Sequence, residues 1–163
     1  MNKLKHALIV IISLVFFRCL AQEPTVFSNE ALNDTFINLE GETVAFKDIL
    51  NKHKGFNIVI DIWASWCKDC VGGIPKVKEL QLEYQETAYV FLSLDKTQEA
   101  WKRGIEKLGI KGDHYFMQSG WKGAFGTFAA LDWIPRYMVV DKQGNIKLYK
   151  SVEADDEKIK DLL

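Results

Sequence analysis

The segment Trp66-Cys67-Lys68-Asp69-Cys70 constrains this chain more than any other stretch. Two cysteines stand three apart, after the run Ile58-Val59-Ile60-Asp61-Ile62-Trp63 and before a helix-like stretch. The preceding run is mostly apolar and β-branched, which suits a strand buried on both faces in a helix-covered sheet. Such a strand delivers the first cysteine to the start of a helix. Unpaired backbone N–H groups and the helix dipole favour negative charge there. The thiolate is the reactive form of cysteine, so this placement makes Cys67 a nucleophile. Cys70, one turn further on, is placed to attack a mixed disulfide formed by the first.

Cysteine usage sharpens the point. The chain has three cysteines in 163 residues, and the third is Cys19. Residues 1–21 have the layout of a secretory signal peptide. Lys3 and Lys5 give a positive start, and Ala7 to Phe17 is a stretch of eleven residues, apolar except for Ser13. Cys19-Leu20-Ala21 offers small residues ahead of a cut before Gln22. An uncleaved membrane anchor and a lipid-modified Cys19 are the alternatives, and Arg18 argues against the second. Loss of 1–21 removes Lys3, Lys5, Arg18 and no acids, leaving residues 22–163 with 18 basic and 22 acidic residues, a net of −4. Cys67 and Cys70 then remain alone. An exported chain with one such pair has no disulfide framework, so the pair serves exchange chemistry or a metal. The charge balance gives no sign of nucleic-acid binding.

Along the rest of the chain, residues 22–35 read as a polar leader or a short first strand. Phe36–Phe46 alternates like a strand pair around Glu40-Gly41-Glu42, and 46–54 reads as a short helix ending at Gly55. A helix is expected over 67–85, with Ile74, Val77, Leu80, Leu82 and Tyr84 as its apolar positions and a disturbance at Gly72, Gly73 and Pro75. A buried strand over 89–94 follows, then an amphipathic helix from Thr97 as N-cap to Gly109 as stop. Residues 114–117 suggest a short strand and 121–131 an irregular helix. Strands over 136–140 and 146–149 flank Asp141-Lys142-Gln143-Gly144-Asn145, and a helical tail capped by Asp155 runs to Leu163. The order β-β-α-β-α-β-α-β-β-α implies one α/β domain over 22–163.

Several residues carry candidate chemistry. Cys67 and Cys70 have redox exchange, metal binding and inert structural thiols as readings. A metal needs more ligands than two thiols, and the isolated His53 and His114 are the histidines left after residue 21. Val71 in place of a histidine removes covalent haem attachment. Asp61 is a carboxylate inside the most apolar strand. Buried, it has a raised pKa and is suited to take a proton from Cys70; at a strand end, it points to solvent. Ile134-Pro135 opens an apolar strand, and its proline reads in isolation as an ordinary trans turn residue. Trp63, Phe91, Phe116, Phe125 and Phe128 read as core, whereas Trp66, beside the nucleophile, suits a docking surface. Lys68 favours the Cys67 thiolate and Asp69 opposes it, so the cysteine is expected to be moderately reactive.

The segment Asp61-Ile-Trp-Ala-Ser-Trp-Cys-Lys-Asp-Cys70 resembles the active-site strand and loop of the thioredoxin superfamily. With Phe36-Ile-Asn-Leu-Glu-Gly-Glu-Thr-Val-Ala-Phe46 and Ile134-Pro135-Arg-Tyr-Met-Val-Val-Asp-Lys-Gln-Gly-Asn-Ile146, the chain is similar to exported TlpA/ResA-like thiol–disulfide oxidoreductases. The resemblance implies a thioredoxin-like α/β fold: a central mixed sheet flanked by helices, with an added N-terminal β-hairpin. It makes Cys67 the attacking cysteine, Cys70 the resolving one and Asp61 the buried acid. Pro135 becomes a cis-proline facing the pair, and Ile134 offers its backbone to substrate. Pro75 matches a proline that kinks the first long helix. The implied activity is exchange with protein disulfides in the reducing direction, with no cofactor beyond the dithiol. The implied partners are protein thiols or disulfides and an upstream, membrane-bound thiol donor. The membrane itself is touched only through an uncleaved N-terminal segment. The pair Lys68-Asp69, where this branch more often has proline, departs from the pattern and bears on direction. The rival reading from a different class is a copper-holding chaperone of the same fold, binding Cu(I) through the two thiolates and His114.

Overall fold

A computed structural model of the chain describes residues 22–163, so the expected signal peptide over 1–21 lies outside the described residues. A seven-stranded sheet organises the rest, in the order β2 (Thr43–Ala45), β1 (Thr35–Ile37), β5 (Asp113–Phe116), β4 (Ala88–Ser93), β3 (Ile58–Trp63), β6 (Arg136–Val140), β7 (Ile146–Ser151). Strand β3 (Ile58–Trp63) is buried at all six positions, as its apolar, β-branched run requires. It pairs in parallel with β4 (Ala88–Ser93) on one side and antiparallel with β6 (Arg136–Val140) on the other. Full burial of each large apolar side chain on such a strand stabilises the fold by about 1.5–3 kcal/mol.

Helix α3 (Lys68–Glu83) connects β3 to β4, and helix α4 (Gln98–Leu108) connects β4 to β5 (Asp113–Phe116). Both connections join parallel neighbours and step the same way across the sheet. Right-handed crossovers therefore put both helices on one face. Side-chain contacts agree: Lys78 of α3 donates to the Leu108 carbonyl at 2.7 Å, and Gln81 to the Lys111 carbonyl at 2.7 Å. Helix α4 starts and stops where its caps require. Thr97 accepts from the Ala100 N–H at 3.2 Å, and Gly109 takes the left-handed conformation at φ 57°.

Ahead of β3 lie α1 (Asn29–Leu32), β1 (Thr35–Ile37), β2 (Thr43–Ala45) and α2 (Phe46–Lys52). Strands β1 and β2 pair antiparallel, with Thr35 opposite Ala45, around Gly41 at φ 89°. A 3-10 turn (Gly120–Lys122) and α5 (Ala124–Phe128) precede β6, and β7 (Ile146–Ser151) and α6 (Glu157–Lys160) close the chain.

Four details differ from the sequence expectations. Residues 22–35 contain the helix α1, capped by the Ser28 hydroxyl, as well as the first residue of β1. β5 is a full member of the sheet, inserted between β1 and β4. Leu82 is 74% exposed: it falls on the solvent side of α3, away from the stripe formed by Ile74, Val77 and Leu80. The terminal helix is a single turn capped by Asp156 rather than Asp155, whose carboxylate instead meets Lys76 of α3 at 3.0 Å.

Candidate active site

Strand register brings three distant segments to one end of the sheet. Trp63 lies opposite Ser93, and Ile62 lies opposite Arg136. The loop leaving β3, the loop leaving β4 and the loop entering β6 therefore meet there. These carry Cys67, Asp95 and Ile134-Pro135.

Cys67 is the N-cap of α3, with extended backbone at φ −78° and ψ 111°. It is joined by a disulfide to Cys70, their Cα atoms 5.3 Å apart. The Cys70 backbone N–H donates to the Cys67 sulfur at 3.1 Å. That is the cap interaction of a hydroxyl or carboxylate made by sulfur, and it gives a thiolate at this atom a donor and the positive end of a helix. The Cys67 sulfur also lies 3.6 Å from the Ile134 carbonyl oxygen. The Ile134-Pro135 bond is cis, and both residues are buried. Cys70, on the inner face of α3, is 1% exposed, and Cys67 is 7% exposed, beneath two open tryptophans. Trp66 is 54% exposed and Trp133 is 60% exposed. With Ile134 and Asp69 they line a hollow of about 390 Å³ over Cys67.

Asp61 is buried, and its Oδ1 has no hydrogen-bond partner. Its register partners are Phe91 and Tyr137, which share its face of the sheet. The Tyr137 hydroxyl reaches Gly73 of α3, and Trp63, two residues beyond Asp61, packs at Gly104 of α4. The carboxyl thus sits under the helix that begins at Cys67. Desolvation pushes its pKa up to about 8, so it is mostly protonated at pH 7. The solvent-facing alternative for Asp61 is not what the fold adopts.

Two residues that the sequence did not flag hold the loops in place. Asp95, 5% exposed, accepts the Ser65 N–H at 3.0 Å, the Ser65 hydroxyl at 2.6 Å and the Ser93 hydroxyl at 2.9 Å. It fastens the turn that presents Trp66 and Cys67 to the end of β4. Arg136, 3% exposed, donates to the Ala129 carbonyl at 2.9 Å and to Asp132 at 2.6 Å, which fixes the approach to Trp133-Ile134-Pro135. The available signals were a Ser-x-Asp at the end of a buried strand and an arginine opening another.

The other flagged residues fall elsewhere. His114 stacks on Phe91 at 5.0 Å on β5, two strands across from β3, with its Nε2 3.1 Å from the Ile110 carbonyl. Burial lowers its pKa. Among the described residues no group of three or more His, Cys, Asp or Glu side chains is gathered as for a metal ion. Trp63, Phe91 and Phe125 are core, and Phe116 and Phe128 are half-buried against it.

The model of a thioredoxin-like family matches residues 55–146, from the approach to β3 through the start of β7. The chain belongs to this thioredoxin-like family. Among relatives of this thioredoxin-like chain is the thiol-disulfide oxidoreductase ResA of Bacillus thuringiensis strain Al Hakam. It is 28% identical over 127 residues, covering 77% of this chain and 69% of the relative. A solution structure from Bacteroides vulgatus, of a protein assigned as a thiol-disulfide oxidoreductase, is 30% identical with a TM-score of 0.67, covering 82% of this chain and 85% of the other. A thiol-disulfide oxidoreductase of Bacteroides fragilis NCTC 9343 superposes with a TM-score of 0.66 over 83% of this chain and all of its own; at 23% identity it speaks for the thioredoxin-like fold. The mixed central sheet flanked by helices is that fold.

Proposed function

We propose that this chain, a thiol–disulfide oxidoreductase, reduces disulfides in other proteins outside the cytoplasm. The observation that carries the reading is the Cys67–Cys70 disulfide at the start of α3, with Cys67 at the floor of a hollow lined by Trp66 and Trp133.

In the reduced enzyme the Cys67 thiolate attacks one sulfur of a substrate disulfide. A Cys67–substrate bond forms, the substrate S–S bond breaks, and the first substrate sulfur leaves as a thiolate that takes a proton from water. Cys70 then gives its proton to the Asp61 carboxylate and attacks the Cys67 sulfur. The intramolecular disulfide forms and the second substrate sulfur departs, so two electrons pass from the pair to the substrate. An upstream dithiol donor reverses the sequence, and protonated Asp61 returns the proton to Cys70. The dithiol is the whole redox group. The Ile134 carbonyl lies beside the Cys67 sulfur, so an extended substrate segment would run along Ile134 and the cis Pro135, with Trp66 as apolar surface beside it.

One feature supports the reducing direction. A strong oxidant requires a stabilised reduced form. Here Lys68 and Asp69 offset each other beside the thiolate, so the residues between the cysteines add little to the stability of that form. Export rests on the sequence of residues 1–21. Among the described residues no helix is long and apolar enough to cross a membrane.

The reduction potential of the pair, measured against glutathione, tests the reading. A value near thioredoxin's, about −270 mV, is expected; one near about −120 mV would reverse the direction. Cys67→Ser should abolish turnover of a model disulfide protein. Cys70→Ser should instead accumulate the enzyme–substrate mixed disulfide, visible as a covalent adduct on non-reducing gels.

A further inference from the structure

The hollow over Cys67 has a second, larger neighbour. Between the start of α3 and the outer surface of α4 runs a groove of about 750 Å³, reached past Trp66 and Cys67. Its floor is apolar, with Val71, Gly104 and Leu108, and its rim carries Lys68, Arg103 and Lys107 against one acid, Glu106. All three cations are exposed, and none makes an ion pair among the described residues. The surroundings have the opposite balance: residues 22–163 carry a net of −4. On the other flank of Cys67 stand Asp69 and Asp132, the latter occupied by Arg136, with Lys68 shared between the two hollows. The unpaired positive charge beside Cys67 is therefore concentrated towards α4, while the side towards Ile134 is aromatic and near charge balance.

We infer that the α3–α4 groove is a docking surface for an acidic segment of the redox partner, lying beside the partner's reacting cysteine. The inference rests on the oxidoreductase reading and adds the chemical class of its partner. Unpaired cations above an apolar floor attract a segment that combines carboxylates with an apolar side chain, and they repel a basic one. Exposed charges act over about 8–10 Å at ordinary salt, within reach of a partner seated on Cys67. Their contribution appears mainly in association, so it should weaken as salt rises.

The test uses two disulfide-bridged peptides of one sequence, flanked on one side of a cysteine by glutamates or by lysines. Pre-reduced parent protein and Arg103→Glu/Lys107→Glu, each oxidised once as it reduces a peptide, are compared by the ratio of second-order single-turnover rate constants for the two peptides, which is insensitive to a general loss of activity. For the parent, the glutamate peptide should be preferred by about five- to tenfold at low ionic strength and by less than about twofold at ~0.5 M salt. The charge-reversed protein should lose or invert the preference. Equal rates on both peptides with the parent, or a preference that survives charge reversal, would overturn the docking surface. So would a parent that elutes as a dimer and a variant that elutes as a monomer, which would give the groove to a second copy of the chain. Reduction of hydroxyethyl disulfide by the parent separates the two levels. Its absence would remove the oxidoreductase reading and the docking surface together. Its presence without peptide discrimination would remove the docking surface alone.

Discussion

In the proposed mechanism Asp61 takes the Cys70 proton, and its burial costs the fold stability. Its carboxyl lies under α3 with Oδ1 unpartnered, and burial raises its pKa from 3.8 to about 8. Below pH 4 the group is protonated in both folded and unfolded chains and favours neither. Between about 4 and 8 the folded state keeps a proton that the unfolded chain has released. Stability therefore falls as pH rises through this window and levels off above it. Asp61→Asn carries no such linkage. Thermal unfolding should show parent and variant close together at pH 4 and the variant more stable, on the order of several kcal/mol, at pH 8. A constant gap across that range would contradict the buried, protonated state. Catalysis should move the other way. Asparagine cannot accept the Cys70 proton, so release of the mixed disulfide should slow by about 10²-fold. In the parent that step should speed up with pH until it levels near 8, as the carboxyl ionises. Stopped-flow resolution of a preformed adduct measures both effects.

At the scale of elements, α3 and the loop before it depend on α4. An alanine at a helix-interior glycine ordinarily stabilises by about 0.5–1 kcal/mol. At Gly104 of α4 an added Cβ would stand 2.5 Å from the Ser65 Cβ and 3.4 Å from the Trp63 ring. Ser65 cannot yield freely, because Asp95 holds both its N–H and its hydroxyl. Gly104→Ala should therefore destabilise by about 1–3 kcal/mol in urea unfolding. Stabilisation instead would mean that the turn moves easily and that Asp95 fixes little. Asp95→Ala, which leaves the Ser65 N–H and hydroxyl without their acceptor, should cost about 2–4 kcal/mol by the same measurement. These contacts also explain which parts of the fold were legible in the sequence. The buried run of β3, the cysteine at the head of α3 and the Thr97 and Gly109 caps of α4 are local signals, and each element lies within a residue or two of its expected place. The neighbours of β5 and the role of Asp95 are set by pairing between segments far apart in sequence, which no local pattern records. Leu82 is exposed although its spacing suits the buried stripe, because an apolar residue beside the stripe of an amphipathic helix looks the same in sequence as one within it.

For the molecule as a whole, the site's far wall is supported by an aromatic part of the core. Phe27, Phe36, Phe46, Phe125 and Phe128 come from the N-terminal segment, β1, α2 and α5. Phe125 lies 4.6 Å from Phe46, 5.6 Å from Phe36 and 6.4 Å from Phe27, centre to centre. Such ring pairs add about 0.5–1.5 kcal/mol each beyond the area they bury. The same α5 leads directly into the carbonyls of Ala129 and Ala130 that Arg136 holds, and from there to Trp133 and Ile134. Loss of the central ring should therefore be felt both globally and at Cys67. Phe125→Ala should destabilise by about 3–5 kcal/mol in urea unfolding. If the cluster braces the substrate-facing loop, the variant, assayed where it is still folded, should lose more activity on a disulfide-bonded protein than on hydroxyethyl disulfide. On the proposed reading a small disulfide needs only the Cys67 sulfur, whereas a protein segment also lies along Ile134 and Pro135. Equal losses on the two substrates would make the aromatic cluster a stabilising core with no bearing on the wall, and would leave Arg136 and Asp132 as what holds Trp133 and Ile134 in place.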